Sequence, residues 1–215
     1  MIQVHQVSYS YNELSVLEQV SFRVERGEFV FLVGPSGSGK TTLSRLLYAD
    51  LMPIAGDLNV MGQKLANLDK MSLPYFRQKI GLVFQDFKFL PNKTVRENLA
   101  LPQRLAGTAP KLIKENVNRF LHQMGLSHHQ HTRPTEISSN ERRRLAIARA
   151  VINNPVLLLA DAPTEGLDLR LSLELMALLD ALNFQGMTVF VTTTDRKLAE
   201  KCKKRIIELR DGGIQ

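Results

Sequence analysis

Gly34 to Thr42 reads GPSGSGKTT, and no other stretch of the chain limits its possible folds as tightly. The pattern G-x-x-x-x-G-K-[ST] holds phosphate because its glycines let successive backbone N–H groups turn inward around phosphate oxygens. The start of the following helix adds the positive end of its dipole. That geometry requires an apolar strand before the loop and a helix after it. Phe29 to Val33 supplies the strand; TTLSRLLYADL, with Leu43, Leu46, Leu47 and Leu51 on one face, supplies the helix, and Pro53 ends it. Within the loop, Gly34, Pro35, Ser36, Gly37, Ser38, Gly39 and Thr42 form the expected cradle. Lys40 brings a full charge to the β- and γ-phosphates, and the Thr41 hydroxyl is a ligand for Mg²⁺.

A metal in such a site also needs a carboxylate at the end of another apolar strand. VLLLAD ends on Asp161. An Asp closing a buried strand also caps turns in ordinary folds, but alongside Lys40 the metal reading is favoured.

Around these motifs the opening residues read as β: Ile2 to Val7, Val20 to Val24 and Phe29 to Val33. Short strands follow at 57–62 and 80–84, joined by a polar connection, and 94–133 reads as helical with Leu112, Val117, Phe120 and Leu121 on a buried stripe. Strand and helix then alternate: Arg142 to Ile152 helical, Val156 to Asp161 strand, Leu169 to Phe184 helical, Thr188 to Thr193 strand, Arg196 to Lys204 helical. RDGGI near the end resembles a hairpin turn. The expected fold class is α/β, a mainly parallel sheet with helices on its faces.

With motifs in this order, nearly the whole chain resembles an ABC-type ATP-binding subunit. The resemblance implies one ABC nucleotide-binding domain over 1–215: a P-loop NTPase core, an antiparallel β-subdomain and a helical lobe at 94–150. It implies ATP and Mg²⁺ as ligands. Tyr11 sits where the family stacks an aromatic on adenine. Gln85, in GLVFQD, looks like the glutamine that senses γ-phosphate, metal and the membrane partner, which adds Gln85 to Thr41 and Asp161 around the metal. Gly166 to Asp168 is similar to the loop that crosses the dimer interface, and ERRRLAIARA after Ser138 resembles the signature helix. LPYFRQKIGLVFQDFKFLPNKTVRENLAL and IARAVINNPVLLLAD resemble the cell-division, FtsE-type branch. That branch implies an ATP-dependent homodimer attached to an FtsX-type integral membrane subunit, hence a peripheral location on the cytoplasmic face of the inner membrane. A lipoprotein-release or export ATPase is the second reading.

Three motifs depart from the family. Its signature, Leu-Ser-Gly-Gly, is here ISSNE from Ile137 to Glu141: Ser138 remains, but both glycines are gone. The added side chains crowd the approach of backbone N–H groups to a γ-phosphate. The Glu that polarises the attacking water is Ala162, and the switch histidine is Thr194, which cannot relay a proton as imidazole does. No catalytic position is intact, so hydrolysis is expected to be weak or absent unless Glu165 or Asp195 substitutes as base.

The charge balance, 28 Lys and Arg against 21 Asp and Glu, permits nucleic acid, an anionic membrane or a polyphosphate ligand, and the phosphate loop selects the last; nucleic acid is not an expected partner. One cysteine, Cys202, excludes an intrachain disulfide. No apolar run approaches membrane-spanning length, and the start lacks the layout of a signal peptide, so a cytoplasmic chain is expected. Phe84, Phe87, Phe89 and Leu90 are candidates for a groove receiving a helix of the membrane subunit, with at least two expected in the core. Arg142 to Arg144 and Lys201 to Arg205 read as solvated faces. His128, His129 and His131 read as a polar loop, with no Cys or acidic partner nearby.

Overall fold

A computed structural model describes residues 1–215. In chain order the elements are β1 (Ile2–Tyr11), β2 (Leu14–Val24), β3 (Phe29–Val33), α1 (Lys40–Leu47), β4 (Ala55–Val60), β5 (Gln63–Lys64), α2 (Leu73–Gln78), β6 (Ile80–Val83), α3 (Val95–Leu105) and α4 (Pro110–Gln123). Then come α5 (Ser139–Val151), β7 (Leu157–Asp161), α6 (Leu169–Phe184), β8 (Thr188–Thr193), α7 (Arg196–Lys201), β9 (Arg205–Arg210) and β10 (Gly213–Ile214).

The strands form two sheets. The larger has the order β10-β9-β3-β8-β7-β6, parallel except for the β10 edge. The smaller is antiparallel, in the order β2-β1-β4-β5. Every residue of β3, β7 and β8 is buried, as expected for parallel strands covered on both faces. Alternate side chains divide between two cores. Phe29, Phe31, Val33, Leu158, Ala160, Val189 and Val191 pack with α3, α4, α5 and α6 in one cluster of 28 buried residues. Val30, Leu32, Leu157, Leu159 and Phe190 pack with α1 and the antiparallel sheet in a second cluster of 22. The fold is therefore α/β, and its central sheet presents the ends of β3, β7 and β8 side by side.

Several boundaries differ from the sequence reading for local reasons. The single helical stretch over 94–133 breaks into α3, α4 and a 3₁₀ turn at Ser127–His129, because Gly107 and Gly125 take φ of 74° and 67° at the breaks. Thr94 starts α3 with a full capping box to Glu97. The β1–β2 hairpin runs further than its apolar pattern suggested. Gln6 and Gln19, at φ 48° and 47°, lie where its register shifts, and this breaks the alternation that marks a strand. The polar connection at 65–79 contains α2, and α7 stops at Lys201. Lys203 turns at φ 53° into β9, which lies parallel to β3. Arg205 is thus a strand residue that donates to Glu28 and the Arg23 carbonyl, rather than part of a solvated helix face. No helix is long and apolar enough to cross a membrane.

Gly56 is the second residue of β4, at φ 86°, and a Cβ there would meet the Gln6 carbonyl oxygen at 2.3 Å. Gly62 shares the left-handed backbone, at φ 78°, but has nothing within 4 Å. Gly62→Ala should cost about 1–3 kcal/mol through backbone strain alone. Gly56→Ala should cost clearly more, read as the larger fall in urea midpoint with unchanged m-value.

Candidate nucleotide-binding site

The phosphate loop leaves β3 at Val33 and enters α1 at Lys40. Gly37 and Gly39 hold φ of 80° and 98°, which turns the intervening N–H groups inward. Packing fixes the loop from below. A Cβ on Gly34 would fall 2.2 Å from the Leu209 carbonyl oxygen, and one on Gly39 would fall 2.8 Å from Leu17. The Gly34 N–H donates to the Thr193 carbonyl at 3.3 Å, tying the loop to β8. Lys40 is buried, and its ammonium donates to the carbonyls of Gly34 and Pro35 at 2.8 and 2.6 Å and to Ser38 Oγ at 3.3 Å. Burial holds the Lys40 pKa below its ordinary value, with Asp161 and Glu165 opposing that shift.

A cleft of about 200 Å³ opens over this loop, lined by Ser36, Gly37, Gly39, Lys40, Thr41, Thr42, Gln85, Asp161, Ala162, Glu165, Thr194 and Val16. Asp161 closes β7, is buried, and accepts from Thr192 Oγ1 at 2.5 Å. Ala162 follows at φ 46°, its N–H donating to Thr192 Oγ1 at 3.0 Å. The Gln85 amide donates to Glu165 at 2.6 Å, which leaves its carbonyl oxygen free. A neighbouring cleft of about 600 Å³ shares Thr41, Gln85 and Asp161 and extends to Tyr48, Leu82 and Phe84.

Of the residues singled out from sequence, Thr41, Gln85, Asp161, Ala162 and Thr194 converge on the phosphate loop. Tyr11 and Ser138 do not line this cleft. Tyr11 ends β1, edge-on to Tyr9 at 5.0 Å, and its hydroxyl accepts from Arg45 at 3.1 Å. Ser138 caps α5: its N–H and hydroxyl both donate to one Glu141 oxygen, at 2.8 and 2.7 Å. Those bonds hold the Glu141 carboxyl below the usual carboxylate range. The two proposed substitute bases also separate. Asp195 is occupied as the cap of α7, accepting from Leu198 N–H at 2.9 Å, whereas Glu165 lines the cleft.

Two expectations need correction. Arg143 is not on a solvated face. It donates to the carbonyls of Pro163 and Glu165 and lies over the Phe87 ring at 5.6 Å, linking α5 to the loop after β7 and the segment after β6. Burial and the neighbouring Arg142 lower its pKa. No periodicity in ERRRLAIARA distinguishes Arg143 from Arg142, so only the fold reveals it. In the aromatic segment, Phe87 and Phe89 pack on the larger core, in line with the expectation that at least two of the four would, and the cleft takes Phe84 together with Leu82. Finally, the histidines do have an acidic neighbour, since Glu141 is brought to His129 and His128 from another element.

The family model for ABC transporters matches residues 17–165. The cell division ATP-binding protein FtsE of Streptococcus pneumoniae (strain D39) is 40% identical over 203 residues, 94% of this chain and 88% of that protein. FtsE of Escherichia coli K12 is 37% identical over 215 residues, covering 100% of this chain and 97% of that protein. Among solved structures, the dimeric bacterial ABC transporter cassette MJ0796 superposes with a TM-score of 0.92 at 34% identity, covering 100% of this chain and 97% of that one.

Proposed function

The chain belongs to the ABC transporter family, and on that premise we propose that it is the ATP-binding subunit of a cell-division membrane complex, holding Mg-ATP while hydrolysing it weakly or not at all. The carrying observation is a single cleft that retains Lys40, Thr41, Gln85 and Asp161 but has Ala162 and Thr194 where a base and a relay are required.

The donor set fits the metal. Thr41 hydroxyl, Asp161 carboxylate and the free Gln85 carbonyl are hard oxygen ligands in one cleft, the type Mg²⁺ prefers. When bound, Mg²⁺ neutralises charge on the β- and γ-phosphate oxygens. The chain's own residues do the rest of the binding. The loop N–H groups cradle phosphate, and the Lys40 ammonium exchanges its carbonyl partners for phosphate oxygens. Tyr11, 39% exposed at the end of β1, offers a ring face to adenine. At the γ-phosphate end the chemistry stops. The Ala162 methyl has no lone pair with which to take a proton from water, and a threonine hydroxyl at 194 does not titrate near neutrality.

A second copy would close over the nucleotide with its ISSNE segment, giving an ATP-dependent homodimer. Ser139 and Asn140 put side chains where the family has none, and the Ser138 hydroxyl is already donated to its own helix. Closure is therefore weakened rather than abolished. The cleft lined by Tyr48, Leu82 and Phe84 is the proposed seat for an FtsX-type membrane subunit, which would hold the chain at the cytoplasmic face of the membrane. Co-expression with the FtsX-type subunit of the same source, followed by detergent extraction and affinity purification, should recover both chains, with more partner retained in Mg-ATP. Failure to co-purify with and without nucleotide would remove the membrane-complex assignment.

A further inference from the structure

We propose that His128, His129 and Glu141 form a binding site for a divalent transition-metal ion of the zinc class, set against the first turn of α5. The two histidines lie in the 3₁₀ turn after α4, their rings 4.0 Å apart. His129 Nε2 stands 2.9 Å from Glu141 Oε1, His128 Nε2 stands 3.9 Å from the same oxygen, and the three ligand atoms fall within 4.8 Å of one another. Metal–ligand bonds of about 2.0–2.2 Å in a tetrahedron place ligand atoms roughly 3.3–3.6 Å apart. The observed 2.9 and 3.9 Å bracket that spacing. Rotation of the exposed His128 ring, which stands farther from Glu141 than His129 does, is the adjustment that would close the site.

Two imidazoles and one carboxylate leave a fourth position for water. The nitrogen donors favour zinc, copper or nickel over Mg²⁺ or Ca²⁺, which seek oxygen. Glu141 is also oriented as metal-binding carboxylates are. Its Oε2 accepts from Ser138 N–H and Oγ, which leaves Oε1 directed at the histidines. His128 is 67% exposed, so an ion has a path in. Because one carboxylate serves both the ion and the cap of α5, an occupied site ties the turn at 127–129 to the segment that begins with Ser138. Any effect of that tie on dimer closure rests on the function proposed above; the binding itself does not.

Zn²⁺ titrated calorimetrically into the full chain should bind one ion per chain, and Co²⁺ should give the visible absorption of a tetrahedral site. His128→Asn and His129→Asn should each weaken Zn²⁺ binding by more than about ten-fold, the lower end of what losing even an outer partner costs. His131→Asn should leave it unchanged. Hydrogen exchange in 127–141 should slow when Zn²⁺ is added. Absence of stoichiometric binding would overturn the proposal. So would binding undiminished in the His128→Asn, His129→Asn pair, which would put the ion elsewhere, as at Cys202. ATP affinity measured on the same samples, without Zn²⁺, reports separately on the nucleotide site.

Discussion

The Ala162→Glu, Thr194→His double variant should hydrolyse ATP about 10²- to 10⁴-fold faster than the unmodified chain, the range expected for supplying a positioned general base. A gain of about 10³ corresponds to roughly 4 kcal/mol of barrier. The backbone is prepared for the change. Ala162 already carries a Cβ at φ 46°, so glutamate adds no new left-handed strain, and the position follows directly on Asp161 in the cleft. Thr194 is exposed at the end of β8 and can accept imidazole without repacking. Ser139 and Asn140 still impede closure, so the gain should rise when they are replaced by glycine in the same background. If instead the unmodified chain turns over briskly and Glu165→Gln abolishes it, the carboxylate bonded to Gln85 is a substitute base.

Lys40→Ala should weaken ATP binding by about 10- to 150-fold, the equivalent of the roughly 1.5–3 kcal/mol carried by a hydrogen bond to a charged group. The loss should be specific to the ligand. The Lys40 ammonium bridges Gly34, Pro35 and Ser38, but its burial is costly, as its lowered pKa reflects, while Leu43, Leu46 and Leu47 anchor α1 in the second core. Thermal unfolding without nucleotide should therefore change little, and the stabilisation that ATP gives the unmodified chain should disappear. A fluorescent ATP analogue in equilibrium titration and a melting curve with and without ATP separate the two effects.

The candidate cleft was legible in sequence because its parts are local. The strand, glycine loop and helix from Phe29 to Leu47 are contiguous, and Asp161 ends an uninterrupted apolar run. The alternating α/β order followed from those same runs, since β3, β7 and β8 are buried on both faces. What stayed hidden depends on tertiary approach or on backbone irregularity. The bulges at Gln6 and Gln19 scramble the period-two pattern of β1 and β2, and β9 is a strand whose charged ends mask its apolar centre. Arg143 and Glu141 acquire their partners from segments 20 and 12 residues away. No spacing within α5 announces either. Asp195 illustrates the converse: a carboxylate adjacent in sequence to Thr194 is spent on capping a helix.

The most direct test is to saturate the unmodified chain with labelled ATP and Mg²⁺, measure how much binds, and follow conversion of that bound ATP to ADP under single-turnover conditions. Near-stoichiometric binding should be accompanied by hydrolysis slower than about 10⁻² s⁻¹, some 10³ below a typical enzymatic turnover. Binding followed by hydrolysis at about 1 s⁻¹ or faster would contradict the account, because the cleft around Ala162 and Thr194 would then contain a working base.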